Sequence, residues 1–333
     1  MAQNDIVKHS VLASCASNKY VMTGNNRYRL LGLQYYSRAV KDMNQELESF
    51  RSDNPVQHSY LLTAVSFFYI FGFWGIDASS DPRPHVDGAV KLLTMKSHDQ
   101  AAKSSTRTYD RVNIESVLYQ GFLLATRRPF KPDFRMDTEF ISHAESLLNL
   151  CGSSDSSGKN SSLILGVPTS LYRLILKVMD SYNIATDKVN DYLECLRVDM
   201  DYWEQLLIND DIQDGPPSGA GFNDLMILAA SLLLDLVAEN LNHCITISEQ
   251  QKPWRWQMDL AMAILQCPEE HEKWSHCFLG AWPLLILGYG ARSIEEITLV
   301  KDVLGNIRQR TGYGEVQRIR EELEEITSLK NAG

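Results

Sequence analysis

The spacing of apolar residues is the feature that most constrains the fold. Along most of the chain these residues recur in steps of three and four, which places them on one face of an α-helix. The clearest run puts six residues on one predicted face: Leu33, Tyr36, Val40, Met43, Leu47 and Phe50. Residues 171–182, 189–207 and 316–326 repeat the pattern, and the period-two alternation typical of strands is hard to find. The sequence therefore predicts an all-α fold, a single multi-helix bundle of roughly twelve helices.

Two longer apolar segments predict buried helices. They run from Leu61 to Trp74 and from Leu225 to Ala238, and Asp235 interrupts the second. A helix that spans a membrane needs roughly 20 apolar residues, which exceeds either segment. We therefore predict core helices here. The Leu61–Trp74 segment is apolar on all sides and is expected at the centre of the bundle.

Polar, low-complexity stretches separate the predicted helices. We expect mobile loops near 97–108, 152–162 and 210–221, where Ser, Gly, Pro and Asp are frequent. None of these stretches is long enough to separate independently folded parts. We therefore predict that residues 1–333 form one domain.

The charge and composition of the chain limit which molecules it can bind and where in the cell it is expected. The chain has 333 residues, with 32 Lys and Arg against 42 Asp and Glu, for a formal net charge of −10. Such a surface repels nucleic acid and anionic membranes, so we expect neither as a direct partner. The first ten residues lack the cationic start and apolar run of a secretory signal. The six cysteines are scattered, so we expect free thiols and an intracellular protein, in the cytoplasm or the nucleus.

Five stretches occur in the order of a known family. They are VKHSVLASCASNKYV with RLLGLQYYSRAVKDMNQEL, HSYLLTAVSFFYIFGFWG with HVDGAVKLL, LILGVPTSLYRLILKVMD, GAWPLLILGYGARSIEE, and TGYGEVQRIREELEEI. Together they span almost the whole chain and resemble the regulatory, or middle-homology, domain of fungal zinc binuclear cluster transcription factors. The resemblance implies an all-α regulatory domain that responds to small molecules and contacts other proteins.

One departure from that family concerns DNA binding. The family's zinc cluster uses six cysteines, with two Cys-x-x-Cys pairs in a short basic segment. This chain also has six cysteines, but it has no Cys-x-x-Cys pair and no Lys- and Arg-rich N-terminal arm. If the chain is a full-length product, we expect that it does not read DNA as those factors do.

The segment Gly288-Tyr289-Gly290 raises the question of a phosphate site. A phosphate-binding glycine loop would need a preceding strand and a βαβ setting, and the sequence predicts neither. We interpret Gly288 and Gly290 as sites where helices approach closely or the chain turns. Ser293 and Glu296 have the Ser-x-x-Glu spacing of a capping box, which predicts that a helix begins there.

The sequence does not favour a metal site or a cofactor. Cys267, His271 and Cys277 could converge in a loop, but the five-residue step from His271 to His276 points the two imidazoles about 140° apart on a helix. No nucleophile, acid and base combination follows from spacing alone. We therefore expect no metal and no cofactor.

Aromatic residues suggest a binding site within the bundle. Core packing explains most of them, but a helical bundle rich in Tyr and Trp can also enclose a cavity for an uncharged, apolar molecule. The candidate ligand-binding residues are Tyr36, Tyr69, Trp74, His85, Tyr119, Tyr172, Trp282 and Tyr289. The candidate catalytic residues are His85, Tyr119 and Tyr289.

Two functions fit this sequence. The first is a stand-alone regulatory protein of secondary metabolism that binds a hydrophobic small molecule and acts through a DNA-binding protein partner. The second is an enzyme recruited from the same fold, a cofactor-independent cyclase or pericyclase. Such an enzyme would act by holding a hydrophobic intermediate in a reactive conformation, which needs neither a metal nor a covalent nucleophile.

Overall fold

The all-α prediction is confirmed by the structure, a computed structural model that describes residues 4–51, 54–73, 81–96, 107–151, 164–185, 187–210, 221–241, 255–267, 280–311 and 314–332. These residues form thirteen α-helices, one 3₁₀ turn (Ser181–Asn183) and no strand. The chain divides into two compact units, Met1–Leu124 with Arg135–Leu165, and Ala125–Phe134 with Gly166–Gly333. The organisation of the chain as a single domain stays a prediction.

The first unit contains the helices of the N-terminal part of the chain. They are α1 (Asp5–Thr23), α2 (Asn26–Glu48), α3 (Pro55–Phe73), α4 (Arg83–Thr94), most of α5 (Arg107–Thr126) and α6 (Thr138–Cys151). Helix α1 packs along α2 and α3, and α4 packs against α3 and α6. Asn4 caps the start of α1, and Gly24 ends it in a left-handed conformation with φ of 66°.

Helix α3 is a core helix, as its apolar sequence predicts. Its large apolar side chains are buried on several faces, including Leu61, Leu62 and Phe68. Two of its backbone carbonyls accept hydrogen bonds from amide side chains of α5. The Asn113 amide donates to the Ser59 carbonyl at 3.3 Å, and the Gln120 amide donates to the Ser66 carbonyl at 3.3 Å. These bonds hold α3 and α5 in a defined register.

The apolar face of α2 differs from the predicted face at one end. Met43 is buried as expected, whereas Leu47 is 42% exposed. The buried residues of α2 are Gly32, Ala39 and Met43, which at 100° per residue lie about 40–80° around the helix from Leu47. Leu47 is therefore at the edge of the buried face, one residue before the helix ends at Glu48.

The second unit contains the remaining helices. They are α7 (Thr169–Asp180), α8 (Val189–Asp210), α9 (Gly221–Asn240), α10 (Trp256–Gln266), α11 (Ala281–Gly290), α12 (Ile294–Thr311) and α13 (Gly314–Ala332). Helix α9 contains the second apolar segment and packs against α7, α8, α10 and α11. Leu228, Leu233 and Leu234 of α9 have no exposed surface. Both long apolar segments are therefore core helices, and no helix in the described part of the chain is long and apolar enough to cross a membrane.

The predicted loops lie mostly outside the described residues, which exclude 97–106, 152–163 and 211–220. Residues 107 and 108 lie in α5, residue 210 ends α8, and residue 221 begins α9. The predicted capping box is confirmed. The Glu296 N–H donates to the Ser293 hydroxyl at 3.2 Å, and the Ser293 N–H donates to the Glu296 carboxylate at 3.3 Å.

The two glycines of Gly288-Tyr289-Gly290 allow helices to pack closely. Both lie in the last turn of α11, with no strand before them in the described part of the chain. A Cβ atom on Gly288 would lie 2.4 Å from Leu323 of α13, and one on Gly290 would lie 2.7 Å from Leu232 of α9. The segment is therefore a helix-packing site and does not have the setting of a phosphate loop.

We expect Gly288→Ala to lower the free energy of unfolding by about 1–2 kcal/mol. Overpacking against the buried Leu323 costs about 2–3 kcal/mol, the upper part of the usual range because the new Cβ would lie 2.4 Å from it, and the higher helix propensity of alanine offsets about 1 kcal/mol. Denaturant titration measures the change. Gly305→Ala is the matched control, because the nearest atom to its new Cβ is Arg320 Nη1 at 3.9 Å. The control is expected to gain stability, and equal effects at both glycines would contradict the packing role of Gly288.

Candidate functional site

The structure brings two of the candidate residues, Tyr36 and His85, into direct contact. The Tyr36 hydroxyl lies 3.0 Å from His85 Nε2, although 49 positions separate the residues in the sequence. Tyr36 comes from α2 and His85 from the first turn of α4. Both side chains are half-buried.

The start of α4 sets the position of His85. Pro84 lies in the first turn, where a helix does not need the backbone N–H that proline lacks. The Asp81 carboxylate accepts from the Arg83 N–H at 3.0 Å, and the His85 N–H donates to the Pro82 carbonyl at 3.1 Å. Local bonding in the segment 81–85 therefore fixes where the imidazole leaves the helix.

Two phenylalanines of α3 complete an aromatic cluster, which consists of Tyr36, Phe68, Phe71 and His85. The Tyr36 ring stacks on Phe71 with centroids 4.5 Å apart and meets Phe68 edge to face at 5.5 Å. The centroids of Phe68 and His85 are also 5.5 Å apart. Phe68 and Phe71 are three residues apart, so one face of α3 presents both rings.

The aromatic cluster keeps its polar pair uncharged. Burial raises the pKa of the Tyr36 hydroxyl above its ordinary value. Burial lowers the pKa of His85, and the negative charge of Asp81 opposes part of that change. Both shifts favour the neutral forms of the two groups. The pair offers hydrogen bonding to a ligand without a net charge.

The tautomer of His85 decides which proton the pair can offer. If Nε2 carries the imidazole proton, it donates to the Tyr36 oxygen, and the Tyr36 O–H is free to donate elsewhere. If Nδ1 carries the proton, the Tyr36 O–H donates to Nε2, and the Tyr36 oxygen keeps its lone pairs for a donor. The pair can therefore serve a carbonyl in one tautomer and a hydroxyl in the other.

The remaining candidates of the first unit are core residues or lie outside the described part. Tyr69 is 3% exposed and stacks on Phe73 with centroids 4.9 Å apart. Tyr119 of α5 is 8% exposed. Trp74 lies outside the described residues. Their roles in ligand binding or catalysis stay predictions.

Three candidates belong to the second unit. Tyr172 and Trp282 are buried in α7 and α11. Tyr289 donates its hydroxyl proton to Glu322 of α13 and meets Phe130 edge to face at 4.8 Å. Burial raises the pKa of Tyr289, and the hydrogen bond and negative charge of Glu322 raise it further. The proton of Tyr289 is therefore directed at a carboxylate of the same unit.

The residues considered for a metal site lie mostly outside the described part. His271, His276 and Cys277 are not described, and Cys267 forms no disulfide, nor do Cys15, Cys151 and Cys195. In the described ranges, no three His, Cys, Asp or Glu side chains are grouped as metal ligands would be.

Sequence reasoning missed two charge clusters, one buried and one partly buried. In the first unit, Lys96 and Asp110 form an ion pair at 2.8 Å, with side chains 0% and 1% exposed. In the second unit, Arg197 of α8 pairs with Glu204 of α8 and Asp235 of α9. The charge of Asp235 within an apolar segment was the signal that could have revealed the second cluster. Lys96 had no comparable signal.

Comparison with known proteins identifies the family of the chain. No curated protein and no solved structure matches it. Residues 1–326 match the family model described as the fungal specific transcription factor domain. The match covers nearly the whole chain and agrees with the resemblance seen in the five sequence stretches. The chain therefore belongs to the fungal specific transcription factor domain family.

Proposed function

We propose that this protein is a regulatory-domain-like protein that binds an uncharged, apolar small molecule. The Tyr36–His85 hydrogen bond within the aromatic cluster is the observation that carries the proposal. Family membership supports the regulatory role. In this role the protein works in the nucleus or the cytoplasm of its source, in secondary metabolism and with a DNA-binding protein partner.

The chemistry of the aromatic cluster defines the class of ligand. Phe68 and Phe71 supply apolar ring faces, and Tyr36 and His85 supply one neutral hydrogen-bonding couple. A charged ligand would find no compensating charge on these four side chains, and burying it would be costly. The ligand is therefore an apolar molecule with a carbonyl or hydroxyl group.

The same couple supports the alternative function, a cofactor-independent cyclase or pericyclase. The Tyr36 hydroxyl, with His85 as its hydrogen-bond partner, can donate to a carbonyl of a bound intermediate and withdraw electron density from a conjugated system. Apolar walls hold the substrate in a folded conformation, and holding the geometry alone can supply several kcal/mol, up to about 7–11. No covalent bond to the protein is needed. Tyr119 and Tyr289 remain further candidates for a donor role.

Deletion of the gene in its source organism separates the two functions. Loss of transcripts from a set of biosynthetic genes supports the regulator. Normal transcripts with accumulation of one uncyclised precursor support the cyclase. Complementation with the wild-type gene must restore the deletion strain. If deletion changes neither transcripts nor metabolites, both functions are contradicted.

We expect Tyr36→Phe to weaken ligand binding about three- to tenfold, which corresponds to the net contribution of one hydrogen bond. The probe is the compound that the purified wild-type protein retains from an organic extract of its source, identified by mass spectrometry. Isothermal titration then gives its dissociation constant.

Binding of the same compound should also weaken as the pH falls below the ordinary range of histidine, because protonated His85 places a charge in the aromatic cluster.

The matched control is Tyr28→Phe, which removes a hydroxyl from a partly buried tyrosine of α2, eight residues before Tyr36 and outside the aromatic cluster. The control should bind like the wild type, and thermal melts of both variants should show that they are folded. Equal affinities of the wild type and Tyr36→Phe would contradict the proposed role of the Tyr36–His85 pair.

A further inference from the structure

One face of α8 is apolar and exposed. Val198, Tyr202 and Leu206 are 70%, 62% and 38% exposed, and their spacing of four residues aligns them along the helix. We call these three residues the apolar stripe. Nine large apolar residues are exposed in the described part of the chain, and no other helix there presents three of them on one face.

Helix α8 is held in place by the face opposite the apolar stripe, which packs in the core. Leu193, Leu196 and Met200 of that face are buried, and α8 packs against α7 and α9. The ring of Tyr202 meets Trp203 edge to face, with centroids 5.9 Å apart. A stripe on a fixed helix loses little conformational freedom when a partner binds, and exposed tyrosines are frequent anchors of protein interfaces.

Acidic residues line both sides of the stripe. At 100° per residue, Glu194 and Asp201 lie on one side and Asp199 lies on the other. Asp199 is 3.9 Å from Lys177 of α7 in an exposed pair, so Lys177 offsets part of the negative charge on that side. The arrangement is thus an apolar ridge with acidic residues on each side, and its more negative border is the side of Glu194 and Asp201.

We propose that the stripe is the docking surface for a basic amphipathic helix of another protein. An apolar helix face that is rimmed by acids fits a helix with apolar residues at steps of three and four and Lys or Arg beside them. A second copy of this chain would bring the same acids against Glu194, Asp199 and Asp201, so like charges oppose self-association through this face. The net charge of −10 adds to that repulsion.

The first test uses a synthetic peptide as the probe. It is an amphipathic helix with leucines at heptad positions a and d and lysines beside them, and fluorescence anisotropy measures its affinity for the full chain. Val198→Ser and Tyr202→Ser are each expected to weaken binding about tenfold, and increasing salt should weaken it further. Thermal melts of these surface variants should match the wild type.

Two matched controls distinguish this docking from general attraction between opposite charges. Leu30→Ser removes a residue of α2 that is 60% exposed and should leave peptide binding unchanged. A peptide with every lysine replaced by glutamate should bind at least tenfold more weakly than the basic peptide. Unchanged binding by Val198→Ser, or equal binding of the two peptides, would overturn the proposal.

The second test identifies the natural occupant. A photoreactive amino acid is introduced at Leu206 in the full chain, in the source organism, and mass spectrometry identifies the cross-linked peptide. A cross-link to a basic amphipathic helix of another protein is the expected result. A cross-link within the same chain, or to a second copy, would overturn the proposal. Neither test involves the small molecule. A negative result here therefore does not bear on the proposed ligand binding, which the Tyr36→Phe variant tests separately.

Discussion

Lys96→Met is expected to lower the free energy of unfolding by about 3–5 kcal/mol, the largest effect we predict for a single substitution. The Lys96 ammonium lies 2.8 Å from Asp110 Oδ1, and neither side chain has appreciable exposed surface. Methionine nearly conserves the volume of the side chain but leaves the Asp110 charge buried without its cation. A buried charge that has lost its counter-ion is far more costly than a lost surface pair.

Denaturant titration of purified variants measures this effect, and two further variants make the result specific. Lys91→Met removes an exposed lysine of α4, the helix that ends two residues before Lys96, and should change stability by less than about 0.5 kcal/mol. Lys96→Met with Asp110→Asn should recover most of the loss, because Asn keeps an acceptor for the Ser59 hydroxyl, which donates to Asp110 at 2.6 Å. If Lys96→Met lowers the free energy of unfolding by less than about 1 kcal/mol, the ion pair is not a major contribution to stability.

Arg197→Met is expected to destabilise the protein by about 2–3 kcal/mol, the second largest effect. Arg197 Nη1 lies 3.3 Å from Glu204 Oε1, and the same guanidinium binds Asp235. The Glu204 side chain is only 2% exposed, whereas Arg197 is 16% exposed, so water reduces the cost relative to the Lys96 pair. Burial lowers the pKa of Arg197, and the negative charges of Glu204 and Asp201 oppose that change.

The surrounding hydrogen bonds make a double variant the best test of Arg197. The Ser231 hydroxyl donates to Glu204, and the Gln257 amide lies 3.1 Å from the Ser231 hydroxyl and 2.6 Å from Asp235. Arg197→Met with Glu204→Gln removes the uncompensated charge and keeps an acceptor for Ser231. It should therefore be more stable than Arg197→Met alone. If the double variant is less stable than the single one, the charge of Glu204 is not the cause of the loss.

Periodic spacing and local capping are the parts of the fold that sequence reasoning could reach. The buried helices around Leu61 and Leu228 follow from unbroken apolar segments, because a helix that is apolar all round must be buried. The start of α12 followed from Ser293 and Glu296, which bond to each other within one turn. The packing role of Gly288 followed from the lack of a preceding strand, although its contact with Leu323 did not.

The sequence by itself determined the helical fold class, the family and the composition of the candidate site, since each depends on residue order over short distances. Only the tertiary structure decided which groups meet. Tyr36 contacts His85 across 49 positions, and Arg197 contacts Asp235 across 38. The physical reason is that side-chain partners depend on how helices cross and rotate, and helical periodicity specifies which face is apolar but not which residue of another helix it will meet.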